Sequence, residues 1–303
     1  MATVREIERR IRSIKNISQV TRALEAVSAS KVRKAQAAVT ATRPYAQEAW
    51  RVLTDLSQQA GAGPSLHPLL AARPVKKIDL IVVSSDRGLA GAFNYNVVRA
   101  ALEFIKAQTV PVQVISVGRK GRELLFRAGQ RIVAEFSNLP AAPSFLDVTP
   151  IGRTAIEDFL SDQVDAVYIT YTDFVNTLSQ KATVRPLLPL STSISSQLLV
   201  HKPVNASESR TGPRLEIIYE PGVTEILDTL IPRFTELQVY QAILESLASE
   251  HSARMVAMRN ATDSAKNLIE TYTLVRNKAR QAAITNELLD IAGGAEALKQ
   301  VQG

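Results

Sequence analysis

The chain has 303 residues, 46% of them hydrophobic, enough for a substantial core and up to two domains. It contains no cysteine, which excludes disulfides, thiolate metal sites, iron-sulfur clusters and thiol catalysis. The formal net charge is +7, and residues 1–43 alone carry ten Lys or Arg against three acids, an excess of the same size. A basic helix points to an acidic partner: nucleic acid, anionic lipid or an acidic protein surface.

The N-terminus opens on a charged helical pattern with no apolar signal core, and no stretch has the length and apolarity of a membrane span. A first helix is expected from about Thr3 to Leu56, with Pro44 bending it just after Arg43. Val4, Ile7, Ile11 and Ile14 keep a heptad spacing. Following the apolar residues further, to Ile17, Val20, Leu24 and Val27, introduces a stammer, and beyond it the seam thins to Val32, Ala35, Ala38 and Val39. Gly61 to Pro74 reads as a linker, with His67 a loop histidine between prolines.

From Lys77 the period changes. Ile78 to Val83, Val112 to Val117, Arg131 to Phe136 and Asp165 to Tyr171 read as strands. Between them Asn94 to Gln108, Arg119 to Ala128 and Val148 to Ser161 read as helices. This alternation predicts a mostly parallel sheet with helices on its faces. Gln180 to Leu188 and Leu215 to Tyr219 look extended, and the polar run Ser191 to Pro213 between them reads as a mobile loop.

The last stretch, Thr224 to Gly303, holds a single proline, Pro232, before Gly293-Gly294, which is the first break expected of it. Its apolar residues recur at helical spacing from Leu227 to Ala279. Roughly seventy residues at about 1.5 Å each make a rod of about 100 Å, too long to stand without a partner. The architecture expected is α/β: a long antiparallel coiled coil of the terminal helices, residues 1–60 and 224–303, with a central Rossmann-like domain over 75–220. The C-terminal helix should outlast its partner by roughly fifteen residues and end in an apolar tip, from Ala282 to Leu298, that another protein must cover.

Chemistry-bearing motifs are scarce. Ser84-Ser85-Asp86-Arg87-Gly88-Leu89-Ala90-Gly91 follows the first strand, where a doubly wound fold often seats phosphate, but it has neither G-x-G-x-x-G nor G-x-x-x-x-G-K-[ST] spacing. Gly118-Arg119-Lys120-Gly121 is suggestive to the same small degree. His67, His201 and His251 form no metal or catalytic constellation, and no metal or cofactor is expected. His251, beside Glu250 on an amphipathic helix, reads as an ordinary surface or seam histidine.

The segment Ile284-Thr285-Asn286-Glu287-Leu288-Leu289-Asp290, followed by Gly294-Ala295, carries a resemblance. So do Asn277 to Ala282, Ala253 to Met258, Ser85 to Gly91 and Ile11 to Asn16. Over nearly its whole length the chain resembles the gamma subunit of F-type ATP synthases. The resemblance implies a terminal-helix coiled coil, a Rossmann-like domain without nucleotide, and a non-catalytic rotor shaft. It implies as partners the alpha and beta subunits of the F1 head, the epsilon subunit and the c-ring of a proton-translocating membrane sector. The chain would then sit peripherally on the cytoplasmic face of a bacterial membrane, with no direct small-molecule substrate and no nucleic acid. It further implies that Arg280, Gln281 and Thr285, together with Leu24, Asp86, Arg87, Gly88 and Ala90, make partner contacts. Two departures stand out: Leu24 where many members carry methionine, and Ala90 in place of cysteine or a similar small residue. The Ser191 to Pro213 loop lacks the cysteine pair of plant chloroplast members. The alternative from the residues alone is a basic coiled-coil nucleic-acid-binding protein, which the absence of interleaved aromatics disfavours. A small-molecule-binding Rossmann domain would need the phosphate loop this chain lacks.

Overall fold

The structure, a computed structural model, describes residues 3–59, 67–190 and 222–302. The expected strand Leu215 to Tyr219, the loop Ser191 to Pro213 and His201 lie outside the described residues. The elements run α1 (Val4–Gln59), a short 3-10 turn (Pro68–Leu70), β1 (Ile78–Val83), α2 (Phe93–Ala107), β2 (Val112–Val117), α3 (Arg119–Arg127), β3 (Ile132–Phe136), α4 (Phe145–Leu160), β4 (Ala166–Phe174), β5 (Gln180–Leu188) and α5 (Val223–Gln302). Helix α1 runs through Pro44 as expected, and one helix end differs, the break expected at Gly293-Gly294. Pro44 removes one backbone hydrogen bond without ending α1, and α5 continues through Gly293-Gly294 to Gln302. Two glycines lower helix propensity by about 1 kcal/mol each, which a helix of 80 residues absorbs.

The chain divides into two compact units, one of Met1–Val27 with Met255–Gly303 and one of Ser28–Arg254. In the first, Thr21 meets Thr262 and Arg10 reaches Tyr272, so the partner number rises as the α1 number falls and the helices are antiparallel. The buried side of α1 corrects the expected seam. Ile7, Ile11 and Thr21 are buried and Ile14, Ser18 and Glu25 half-buried, an unbroken alternation of three and four. There is no stammer: Ile17, Val20 and Val27 are each more than half exposed. On α5 the matching positions are Met258, Thr262 and Ala265, then half-buried Ile269, Tyr272, Arg276 and Ala279. The two threonines tolerate burial because one hydroxyl donates to the other at 2.7 Å while the accepting hydroxyl gives its own proton to a carbonyl of its helix, Ser18 O for Thr21 or Met258 O for Thr262.

In the second unit the sheet order is β3-β2-β1-β4-β5, parallel except for the antiparallel β4–β5 pair. Every residue of β1 is buried, as a central parallel strand covered on both faces requires. On one face Leu80 and Val82 pack with Val97, Val98 and Ala101 of α2 and Leu125 of α3. On the other, Ile81 and Val83 pack with Val148, Ile151, Ala155 and Phe159 of α4 and with Leu227, Ile231, Phe234 and Ile243 of α5. A Cβ on Gly152 of α4 would lie 3.2 Å from the Glu236 Cα, so the two helices approach closely there. Helix α4 begins three residues earlier than expected because Ser144 and Asp147 form a capping box. His67 is not a free loop side chain: it is buried and its Nδ1 accepts from Leu69 N–H, capping the 3-10 turn.

Candidate functional site

In an open α/β sheet the place to look is the crevice beyond the carboxyl ends of the strands, where amides at a helix N-terminus can hold an anion. Here those amides are already taken. After β2, Gly118 turns the chain with φ +91° into α3. The first amides of α3 point at the loop that follows β1: Arg119 N–H donates to Asp86 Oδ1 at 3.1 Å, Lys120 N–H to Ser85 O at 3.0 Å and Gly121 N–H to Ser84 Oγ at 2.9 Å. The other Asp86 oxygen accepts from Asn138 N–H at 2.9 Å, and the Arg119 guanidinium lies 3.8 Å away. Asp86 thus fills the N-terminus of α3 with a carboxylate of the chain itself, supplying the negative charge those donors attract.

The remaining space beside Asp86 is small. Residues of α5 lie across the crest, and the cavity left between Ser84, Asp86, Gly118, Ile243, Ser246 and Glu250 measures about 50 Å³. Small-molecule sites occupy roughly 300–1,000 Å³. Among the described residues no group of three or more His, Cys, Asp or Glu could hold a metal ion.

What the crest does instead is present a loop. Ser85 Oγ donates to Arg87 O at 2.6 Å and is linked to Asn94, whose Oδ1 also accepts from Ser85 N–H. Arg254 of α5 donates from Nε and Nη2 to Gly88 O and from Nη2 to Arg87 O, while its Nη1 pairs with Glu250 at 2.7 Å. Burial raises the Glu250 pKa against the opposing pull of Arg254. His251, read from sequence as an unremarkable seam or surface residue, is buried, and burial followed by the charges of Arg254 and Lys31 pushes its pKa down to about 4. It is therefore neutral near pH 7. The outcome is that Arg87, Gly88 and Leu89 face outward, Leu89 with φ +63° and 66% exposed, while Ala90 is buried.

The other candidate residues sit apart from the crest. Arg280, Gln281 and Thr285 are exposed on α5, the Thr285 hydroxyl bonded to Gln281 O; Leu24 is half-buried on α1. Among and beyond them Ile284, Leu288, Leu289 and Ile291 are each at least half exposed. Sequence reasoning missed Arg254, Asn94 and the plugging role of Asp86. An Arg four residues after a Glu was visible, but its long-range acceptors were not.

An antiparallel pair of terminal helices in one unit and, in the other, a doubly wound domain with a carboxylate of its own chain at the N-terminus of α3 define an α/β protein with a helical coiled coil. Residues 3–298 match the ATP synthase family. The chain is 49% identical over 298 residues to the ATP synthase gamma chain of Dehalococcoides mccartyi strain CBDB1, covering 98% of this chain and all of that one. It is 47% identical over 309 residues to that of Herpetosiphon aurantiacus, covering 99% and 100%. Among solved structures its fold is similar to a chain of the Euglena gracilis mitochondrial ATP synthase rotor (TM-score 0.62, 20% identity, 93% of this chain and 98% of that one). It is similar too to one of the Tetrahymena thermophila central stalk and c-ring (TM-score 0.59, 23% identity, 80% and 99%). The chain belongs to the ATP synthase gamma chain family, the non-catalytic central-stalk subunits of that complex.

Proposed function

We propose that the chain is the turning shaft of a proton-translocating F-type ATP synthase. Its α5 tip lies inside the ring of alpha and beta subunits, and its opposite end meets the epsilon subunit and the c-ring at the cytoplasmic face of a bacterial membrane. The observation that carries this reading is the end-to-end match to gamma chains, joined to a tip on which Ile284, Leu288, Leu289 and Ile291 are uncovered. Four large apolar side chains along one helix end call for a covering surface. An apolar tip makes few directional contacts, so it can turn in a sleeve without a deeply preferred angle, whereas polar groups lower down can grip a passing subunit. No helix among the described residues is long and apolar enough to cross a membrane, which is consistent with a peripheral seat. The excess of basic residues on α1 suits an acidic protein surface, and nothing favours nucleic acid.

Arg280 is assigned the grip, with Gln281 and Thr285 beside it. Leu24, Arg87 and Gly88 are further partner contacts, and Asp86 and Ala90 hold the loop from behind. Arg280 is exposed and makes no ion pair among the described residues, so its loss barely affects the folded chain. In the assembled complex a charge-assisted bond made in one rotary state is worth about 1.5–3 kcal/mol. Arg280→Ala should leave the melting temperature of the isolated chain unchanged and alter ATPase turnover of the reconstituted complex by roughly tenfold or more. Arg280→Glu should be worse. A double-mutant cycle with each acid of the facing beta-subunit loop decides it; coupling within error of zero for every pair removes the grip.

A further inference from the structure

Arg254 joins α5 to the outward loop in a way the family assignment does not require. Its side chain is 12% exposed and its guanidinium divides its donors: one nitrogen goes to the Glu250 carboxylate, and the other two go to the carbonyls of Arg87 and Gly88, at 3.2–3.4 Å. A planar fork with fixed donors suits this task, and a lysine, with one rotating ammonium, cannot reproduce it. The loop needs such a hold. Leu89 is at φ +63° with its side chain 66% exposed, so both backbone strain and apolar exposure favour relaxation of the loop. The inner half, Ser84 to Asp86, is fixed by α3 amides, Asn94 and Asn138, and the outer half from Arg87 to Leu89 depends on the Ser85 hydroxyl and Arg254.

We propose that Arg254, held by Glu250, is a positioning residue: a latch that fixes the Arg87-Gly88-Leu89 loop to α5 and presents Arg87 and Leu89 together to a protein surface pairing a carboxylate with an apolar pocket. The latch transmits the place of α5 to a contact 166 residues away in the chain. That the presented loop touches a partner rests on the function proposed above; the latch itself does not.

The absence of cysteine makes the test direct. A spin label on Leu89→Cys in the full chain reads the loop alone, and one on Leu146→Cys, 74% exposed at the start of α4, serves as the control. Arg254→Met combined with Glu250→Gln removes the carbonyl donors without stranding a buried charge. The label at position 89 should become several-fold more mobile in that background while the label at position 146 keeps its spectrum. Identical spectra at position 89 with and without Arg254 overturn the latch. Arg254→Lys, which keeps Glu250 paired, gives the answer if the double variant fails to fold: intermediate mobility supports the latch, and unchanged mobility overturns it. In the reconstituted complex, the double variant should lower turnover no further in an Arg87→Ala, Leu89→Ala background than that background does alone. A normal turnover for Arg87→Ala, Leu89→Ala would refute the partner contact and leave the spin-label result to decide the latch.

Discussion

Asp79→Asn should make the chain more stable above pH 7 and remove most of the loss of stability that the parent shows between pH 5.5 and 8.5. Asp79 lies on β1 with 0% exposure, on the face it shares with its register partners Gln113 and Val167, and neither carboxylate oxygen has a well-formed hydrogen bond. Burial pushes its pKa up from 3.8 to about 7, with Gln113 opposing, Asp158 of α4 adding to the rise and Lys77 opposing weakly. Because the folded pKa is raised, the native state holds its proton more tightly than the unfolded chain. The contribution is fully present below about pH 4, declines as pH rises, and is lost once pH passes about 7. Three units correspond to roughly 4 kcal/mol, of which about 2 kcal/mol falls between pH 5.5 and 8.5. Urea titrations of both proteins at those two pH values measure it. Equal pH dependence in parent and variant would show that Asp79 is not the group responsible.

Gly118→Ala should cost about 3–5 kcal/mol, among the larger effects of any single methyl. The residue has φ +91°, and a Cβ there would lie 2.4 Å from Ser84 O and 2.7 Å from Ser84 C, both backbone atoms that cannot step aside. Its own N–H holds Phe136 O at 2.8 Å, so movement also loosens β3. Gly129→Ala isolates the conformational part, since Gly129 has φ +71° with nothing within 4 Å of the built Cβ. That substitution should cost only about 1–2 kcal/mol. Similar losses for both, measured by denaturant unfolding, would mean that the close approach to Ser84 is unimportant.

The sheet was legible in the sequence because β1, β2 and β4 are short, mostly apolar, β-branched-rich runs bounded by turns, even though each carries a buried polar residue such as Asp79, Gln113 or Thr170. The coiled-coil seam was not. Hydrophobicity led from Ile14 to Ile17 and Val20, whereas the helix keeps strict heptad geometry and buries Thr21 and Ser28. Small hydroxyl residues enter a seam by bonding to a facing hydroxyl or to a carbonyl one turn back, and apolar residues stay outside it when their position on the helix turns them away. The start of α4 was written in Ser144-Phe145-Leu146-Asp147, a capping box overlooked beside the stronger apolar pattern after Val148. The crest was legible as a glycine-containing loop without a phosphate motif. That Asp86 itself fills the N-terminus of α3 depends on β1, β2 and β3 lying side by side, with Asp86, Arg119 and Asn138 following them in turn, and no local spacing encodes that.

Rotation is the most direct test of the central claim. Leu146→Cys gives the otherwise cysteine-free chain one attachment point, on an exposed residue of α4 that is not among those proposed to grip or to be covered. With the alpha and beta subunits of the same organism fixed to a surface and a bead on that cysteine, added ATP should drive the bead in one sustained direction. Rotation should stop when ATP is removed. An assembled complex that hydrolyses ATP while the bead only fluctuates about a fixed angle would contradict the account of this chain as the turning shaft.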